Sequence, residues 1–466
     1  MSTITVVGGG YVGLITAACF TRLGHRVHVV EIDTRKMESL KAGHLPIREP
    51  GLPEIWEQGT ASGLLSVTGS YKEAISTSEF VFLAVGTPPR ANGSADLRQV
   101  VSAVRAIIGA AGGEMPVIVV KSTVPPGTTE LVRDVVLEHR PYDDARVVSN
   151  PEFLREGLAV IDFMRPSRVV VGCDDRETAE SVGTLYEKLR RPVIYTSTRS
   201  AEMIKYASNA FLCTKVSFMN EIASLCEEIG VDVVDVSKAL GMDPRIGSSY
   251  LDAGLGWGGS CLPKDIAGLA WTANRVGVQT PILNSAIKIN ARQGWLVVSR
   301  LKEMIGDLRG KTIGVLGLAF KPNCDDIRES PSLRLIQALI AEGCEVRAYD
   351  PMAMEAAAHN YPEIMYCTDA YGAATGVDAL VLATAWPQFQ SLDLHKVRSL
   401  MRRPLLMDAR NAFDVNAVTE AGLVYAGIGR PMAGPEFEQP QRELAQHLRG
   451  TRGRPRSTAA KGQHAA

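Results

Sequence analysis

Short β-branched apolar runs, each followed by enough chain for a helix, dominate residues 1–197. "TITVVGGG", "RVHVVEID", "EFVFLAVG", "MPVIVVKST", "RVVSNPE" and "RVVVG" are unbroken rather than alternating in polarity. Strands of that kind are covered on both faces, so the pattern predicts a parallel sheet with helices on each side. The texture changes near Ser200. From Ser200 to Ile229, 30 residues pass without Gly or Pro, and Ile204, Phe211, Met219, Ile222, Leu225 and Ile229 recur at helical spacings. Such a helix would be about 45 Å long. A helix longer than a domain bridges domains or builds a subunit interface. The second is expected here, within an α-helical domain over 198–300 and with a homodimer as the assembly. Strand–helix alternation returns with "KTIGVLGLAF", "CEVRAYD", "ALVLATAW" and "PLLMDAR", predicting a second α/β domain over 301–436.

The second α/β copy echoes the first: strand, glycine turn, helix, strand, acid. "VVGGGYVG" sets Gly8, Gly10 and Gly13 in a G-x-G-x-x-G frame between a strand and a helix. Gly8 permits the tight turn, Gly10 the approach of a pyrophosphate, and Gly13 close helix–strand packing at a helix N-terminus that favours negative charge. The glycine frame alone is weak evidence. Here the next strand ends on Glu31, 18 residues after Gly13, close to the ~20 expected of an acid that accepts the ribose hydroxyls. A carboxylate there repels a 2′-phosphate, so NAD is expected over NADP, with Lys36 able to sit over the adenine ribose. The second copy has fewer glycines in its turn and carries the insertion "KPNCDDIRES". Two Rossmann-like doubly wound domains joined by a helical domain with a long central helix is therefore the predicted fold. Only the first sheet is built for a dinucleotide.

Bulk properties narrow the function by exclusion. Of 466 residues, 45% are apolar and 22% charged, and the formal net charge is -1, which gives no bulk attraction to nucleic acid or membrane. No apolar run is long enough for a membrane span. "MSTITVVGGG" runs directly into a strand without a signal-like segment, so the expected location is cytoplasmic. The eight cysteines form no CxxC pair and the eight histidines no ligand spacing, so neither metal site nor disulfide framework is expected. Residues 437–466 are a basic tail, with six Lys or Arg against one acid between 442 and 466. Its low apolarity predicts disorder.

One cysteine stands apart. "GLGWGGSCLPKDIAGL" places Cys261 after four glycines and before Pro263, Lys264 and Asp265. Glycine-rich backbone of this kind could wrap a flat ligand but not make a stiff core, and a thiol at a helix start is expected to have a lowered pKa. On the long helix Lys205 and Asn209 are spaced i, i+4 and share a face. "NPEFLREG" supplies Glu152 and Glu156, which would share a face if the segment is helical. Thr123 in "KSTVPPGTT" follows a strand, where open α/β sheets bind ligands.

These segments, with "LPIREPGL", "VGTPP", "EMIKYASNAF" and "GLAFKPNCDDIRESPS", occur in the order found in the UDP-glucose/GDP-mannose dehydrogenase family. The resemblance spans about residues 1–430 and is greatest to members acting on UDP-glucose. It implies an NAD-dependent, four-electron oxidation of UDP-glucose to UDP-glucuronate in two steps, through a thiohemiacetal and then a thioester on Cys261. Lys205 and Asn209 would stabilise the oxyanion, Asp265 and Thr123 would handle a water, and Glu152 would serve thioester hydrolysis. Further cofactor contacts implied are Tyr11, Val12, Thr87, Thr123, Glu156, Lys264 and Arg328. Sugar-nucleotide contacts implied are Glu152, Phe153, Leu154, Arg155, Lys205, Asn209, Arg245, Tyr250, Gly254, Gly258, Phe320, Lys321 and Arg410, with Arg245 reaching across from a partner subunit. Trp257 departs from the Phe or Tyr common in the family but keeps the aromatic area. GDP-mannose or UDP-N-acetylmannosamine as substrate, a non-catalytic nucleotide-sugar binder, and a single-oxidation hydroxy-acid dehydrogenase are the competing readings.

Overall fold

The computed structural model describes residues 1–435; the tail expectation for 437–466 lies outside them. The first sheet has eight strands: β1 (Thr3–Val7), β2 (Arg26–Val30), β3 (Leu65–Thr68), β4 (Phe80–Leu83), β5 (Val117–Val120), β6 (Val147–Ser149), β7 (Val169–Gly172) and β8 (Val193–Thr196). Their order is β3-β2-β1-β4-β5-β6-β7-β8. The strand order reverses its progression between the parallel β1 and β4, which opens a crevice at their C-terminal ends, the usual ligand position of open α/β sheets. One expectation needs correcting: the sheet is not wholly parallel. β6 and β7 meet antiparallel through Ser149 and Gly172, joined by a connection that contains the six-residue helix Ala159–Met164.

Apolar side chains cover both faces of this sheet. Ile4, Val6, Phe82 and Val119 pack on one side with the helix Tyr11–Arg22, and Val7, Val81, Leu83 and Val120 on the other with the helices Arg98–Ala110 and Thr128–His139. β3 and β8 escape the apolar-run reading because both are edge strands with polar, half-open positions.

The long helix runs Thr198–Ile229. Ser197 caps it by accepting from Ser200 N, and Gly230, in the left-handed region at φ 73°, ends it. Helices Val233–Met242, Leu262–Arg275 and Pro281–Ile305 pack around it.

The second sheet contains β9 (Thr312–Leu316), β10 (Glu345–Tyr349), β11 (Met365–Tyr366), β12 (Ala379–Leu382), β13 (Leu405–Asp408), β14 (Val424–Gly427) and β15 (Arg430–Ala433). Its order, β11-β10-β9-β12-β13-β14-β15, repeats the first arrangement, with only β15 antiparallel. Its core is continuous with the helices: Met219, Ala223 and Cys226 of the long helix and Val297, Val298 and Leu301 join the same apolar cluster. A shared core of this size holds the second sheet and the long helix together and leaves the cleft to form against the first sheet. No helix among the described residues is long and apolar enough to cross a membrane.

Candidate active site

The glycine turn sits at the crevice. Gly8 has φ 105°, its N–H donates to Val30 O at 2.9 Å, and a Cβ on it would lie 2.8 Å from Ala84 O. A Cβ on Gly13 would fall 1.9 Å from Gly8 O. Both positions therefore exclude any side chain. Gly10 is different: it precedes the helix Tyr11–Arg22 with no side-chain cap, and a Cβ there would meet no atom within 4 Å. The uncapped N–H groups and open approach fit the pyrophosphate of NAD. Glu31, at the end of β2, accepts from Gly9 N at 3.1 Å and Asp33 N at 3.0 Å and pairs with Lys36 at 3.2 Å. It is thus held facing the turn as the ribose acid should be. Val12 packs against the core. The Tyr11 hydroxyl donates to buried Glu49, so its side chain is committed within the protein and only its backbone is left for a cofactor. Thr87 Oγ1 donates to Thr123 O at 2.8 Å, bringing together the two threonines that follow β4 and β5.

Across from this turn, four of the sequence-predicted catalytic residues form two buried pairs. Lys205 Nζ lies 2.9 Å from Glu152 Oε1, and both side chains are 4% exposed. Asn209 Nδ2 donates to Asp265 Oδ2 at 2.6 Å, and Lys264 Nζ to the other oxygen at 2.6 Å. One turn of the long helix separates Lys205 from Asn209, so the helix delivers both from one face. Burial alone would raise the Glu152 pKa; Lys205 outweighs it and holds the carboxyl below its usual value. For Lys205, burial pulls down, but Glu152, Asp265 and Cys261 outweigh it and keep the ammonium protonated above its ordinary range.

Cys261 occupies the N-cap position of the helix Leu262–Arg275 and is the exposed cysteine beside these pairs. The expected lowering of its pKa is not found. Protein surrounds the sulfur closely enough that burial pushes the thiol up, Glu152 and Asp265 add to the rise, and Lys205 and Ser260 only moderate it. Burial comes first and the two carboxylates second in setting that direction. The resting group is a thiol.

Two further expectations are corrected. "NPEFLREG" is an extended loop, not a helix, so Glu152 and Glu156 do not share a helical face. They part instead: Glu152 faces Lys205, while Glu156 accepts from Ser260 Oγ at 3.2 Å and lies 3.7 Å from Arg328. Burial, with Asp326, raises the Glu156 pKa. The glycines before Cys261 do form a stiff, buried stretch. A Cβ on Gly258 would lie 2.2 Å from Glu329 O, and Phe320 packs directly on Gly259. Gly254 makes similar room for Ala409 O, 2.8 Å from where its Cβ would be. The glycines admit the second domain's backbone, and Trp257 between them is buried, donating from Nε1 to Ser217 at 3.0 Å.

The second domain closes the cleft with cations. Lys321 Nζ donates to Glu156 O at 2.6 Å. Arg328 is exposed and forked onto Asp326. Arg410 donates to Ala383 O at 2.7 Å and Gly256 O at 3.2 Å, and its enclosed Nη2 has no partner among the described residues. Burial and then the Arg334 charge pull its pKa down to about 10 against Asp408, which leaves it charged at neutral pH. An unpartnered guanidinium N–H in an enclosed site suits a phosphate or sugar oxygen. On the first-domain side, Arg168 stacks 3.7 Å from the Phe153 ring centre, and Lys205 lies 5.5 Å from it. Leu154 N donates to Glu152, and Arg155 is forked onto Asp162. Tyr250, at φ 64°, is near enough to Arg155 and Lys205 to feel their charges. Arg245 is not brought into this cleft; it is exposed and forked onto Asp243.

Sequence reasoning missed Glu49, which accepts from Gly157 N at 2.7 Å and Ala159 N at 2.6 Å as well as from Tyr11. It ties the glycine turn to the Glu152 loop. The segment "LPIREPGL" was the available signal, but nothing local distinguishes its acid from a solvated one. No group of His, Cys, Asp or Glu among the described residues could hold a metal ion.

A dinucleotide turn on one sheet, facing a thiol where a second nucleotide-type sheet closes over it, is the layout of an NAD-dependent nucleotide-sugar dehydrogenase, and this protein is of that class. Three domain patterns match in succession: the NAD binding domain of the UDP-glucose/GDP-mannose dehydrogenase family at residues 2–190, its central domain at 199–292 and its UDP binding domain at 314–415. The chain belongs to that family. It is 44% identical to a UDP-glucose 6-dehydrogenase of Pseudomonas aeruginosa over 92% of this chain and 98% of that one. A UDP-glucose 6-dehydrogenase of Rhizobium meliloti is also 44% identical, over 92% and 99%. A UDP-glucose dehydrogenase structure from Pyrobaculum islandicum superposes with a TM-score of 0.86 at 41% identity, covering 92% of this chain and 98% of that one.

Proposed function

We propose that this protein oxidises UDP-glucose to UDP-glucuronate on Cys261, drawing on two NAD per turnover. NAD, when bound at the glycine turn, supplies the hydride acceptor for each oxidation. The first oxidation turns the C6 alcohol into an aldehyde, its hydroxyl proton passing to a water at Thr123 and Asp265, and Lys205 holds the oxygen with Asn209 beside it. The Cys261 sulfur then bonds to C6 and the thiol proton ends on the aldehyde oxygen, giving a thiohemiacetal. That sp³ carbon again carries a hydride to lose, which a free aldehyde lacks. Its second oxidation, with the hydroxyl proton passing to a water at Asp265, leaves a thioester. Glu152 takes one proton of the water that adds to the thioester, the C6–S bond breaks, and the water's other proton passes from the new carboxyl to the sulfur. A raised thiol pKa agrees with this order, since the sulfur arrives and leaves carrying its proton.

The observation that carries the reading is the convergence of the Lys205–Glu152 and Asn209–Asp265 pairs beside the one exposed cysteine. Near-complete coverage by relatives named for UDP-glucose supports that sugar over GDP-mannose or UDP-N-acetylmannosamine. The test is stoichiometry: two NADH per UDP-glucuronate for the wild type, and loss of double oxidation with NAD binding retained for Cys261→Ser. Turnover of GDP-mannose without turnover of UDP-glucose would replace the substrate; full activity of the Cys261→Ser variant would remove the thiol.

The same reading includes a homodimer built on the long helix. Phe211, Phe218, Leu225 and Ile229 are all exposed along it, an apolar stripe that a second copy would cover. Exposed Arg245, leaving its fork on Asp243, would then reach a neighbouring cleft. Phe218→Glu is expected to shift the sedimentation coefficient from dimer to monomer.

A further inference from the structure

A second buried lysine is anchored to Asn150, two residues before Glu152. β5 ends at Val120, and Lys121 turns inward, 4% exposed. Its Nζ donates to Asn150 Oδ1 at 3.0 Å and to the Tyr186 hydroxyl at 3.2 Å. The rings of Tyr186 and Phe163 lie 5.6 and 5.9 Å away. The Tyr186 hydroxyl donates to the same Asn150 oxygen at 2.5 Å, and Asn150 Nδ2 donates to Val170 O at 2.8 Å, which locks the amide. Every direct partner of this ammonium is neutral, and among the described residues it forms no ion pair. Buried lysines are rare unless a negative charge compensates them. The one at hand is Glu152, two residues beyond Asn150, whose charge acts on Lys121 together with that of Lys205.

We propose that Lys121 is a positioning residue: a reserve counter-ion that keeps Glu152 ionised while Lys205 is drawn to the oxygen on the substrate. This rests on the roles given above to Lys205 and Glu152. Lys205 cannot serve both groups at full strength. As its charge shifts to the developing oxyanion, Glu152 would be left as a buried carboxylate with the Leu154 N–H as its remaining donor, and it would take up a proton. Protonated, it could not accept one from water. Lys121 cannot make the same move, because Asn150 and Tyr186 anchor it.

The groups facing Lys121 are Glu152 from the loop after β6, Lys205 from the long helix, Cys19 from the helix Tyr11–Arg22, and Tyr186. Burial pulls its pKa down to about 8 against Glu152, with Lys205 adding to the fall and Cys19 opposing it. The reserve charge is therefore present at neutral pH and lost above about pH 8.

The test is the pH dependence of kcat for the full chain with saturating NAD and UDP-glucose. Lys121→Met is expected to lower kcat about tenfold at pH 7 with little change in KM, and to move the acid limb up by about one pH unit, since removing a cation raises the Glu152 pKa. Tyr186→Phe removes an acceptor from the ammonium and is expected to move the basic limb to lower pH. A folded Lys121→Met enzyme whose limbs stay in place, with any loss equal at every pH, overturns the proposal. If that variant does not fold, an unmoved basic limb in Tyr186→Phe overturns it. A wild-type enzyme inactive with UDP-glucose but active with another nucleotide sugar refutes only the substrate, and the profiles are then read with that sugar. Inactivity with all of them refutes the reading and the proposal together.

Discussion

The two glycine turns begin alike and end differently. Gly8 N donates to Val30 O and Gly317 N to Tyr349 O, at 2.9 and 2.8 Å, and both glycines have φ just above 100°. A Cβ on either would strike the chain just past the neighbouring strand, at Ala84 or Thr384. Two residues later the copies part. The first has Gly10 and enters its helix at Tyr11; the second has Ala319 and does not enter a helix until Pro331. Their acids part too. Glu31 accepts two backbone N–H groups and pairs with a half-exposed lysine. Asp350 accepts from Leu318, Ala319, Met352 and Ala353 N and from Trp386 Nε1, and is 1% exposed. With its oxygens saturated by the protein, it has nothing to give a ribose. One turn is left open beside an uncapped helix; its twin is tied into the fold.

That contrast breaks most sharply at the acids. Asp350→Ala should leave five donors unsatisfied, four of them buried, and destabilise the fold by about 4 kcal/mol or more, read by urea unfolding. Glu31→Ala should destabilise by only about 1 kcal/mol while weakening NAD binding and admitting NADP. Equal losses of stability would end the distinction. The next largest effect lies on the first-domain side of the cleft. Glu152→Gln leaves Lys205 buried without its carboxylate, a loss of about 3 kcal/mol at pH 7. Because Glu152 is depressed in the folded state, the pair's contribution is present above the unfolded Glu pKa of about 4.3 and fades as pH falls through the folded value. Lys205, raised, keeps its share until pH climbs past the unfolded Lys pKa of about 10.4 and through its own folded value. The urea midpoints of wild type and variant should therefore converge in acid. Third, Gly10→Ala should weaken NAD about tenfold by calorimetry, roughly 1.4 kcal/mol, with an unchanged melting temperature, whereas Ala319→Gly should not create NAD binding. The smallest effect is expected of Lys36→Met: the pair is solvent-screened, so stability should change by less than about 1 kcal/mol.

Much of this site was legible in the primary sequence because its signals are local. The turn Gly8–Gly13, the acid at Glu31, the i, i+4 pair Lys205 and Asn209, and the helix start at Cys261 each depend on neighbours within a few residues or one element. The failures share a cause as well. The "NPEFLREG" loop looks helix-competent, yet Glu152 is drawn to Lys205 on the long helix and Glu156 to Ser260 and Arg328. The glycines around Trp257 read as pliable, yet they are filled by Glu329, Phe320 and Ala409 from beyond residue 300.

Composition and periodicity were enough to require two strand–helix sheets, a long helix between them and a dinucleotide turn on the first, because hydrophobic burial and backbone sterics act over short stretches of chain. The protonation of Cys261 and Glu152, the silence of Asp350 and the burial of Lys121 belong to the folded molecule. Charge and desolvation depend on distance in space, and segments hundreds of residues apart set those distances.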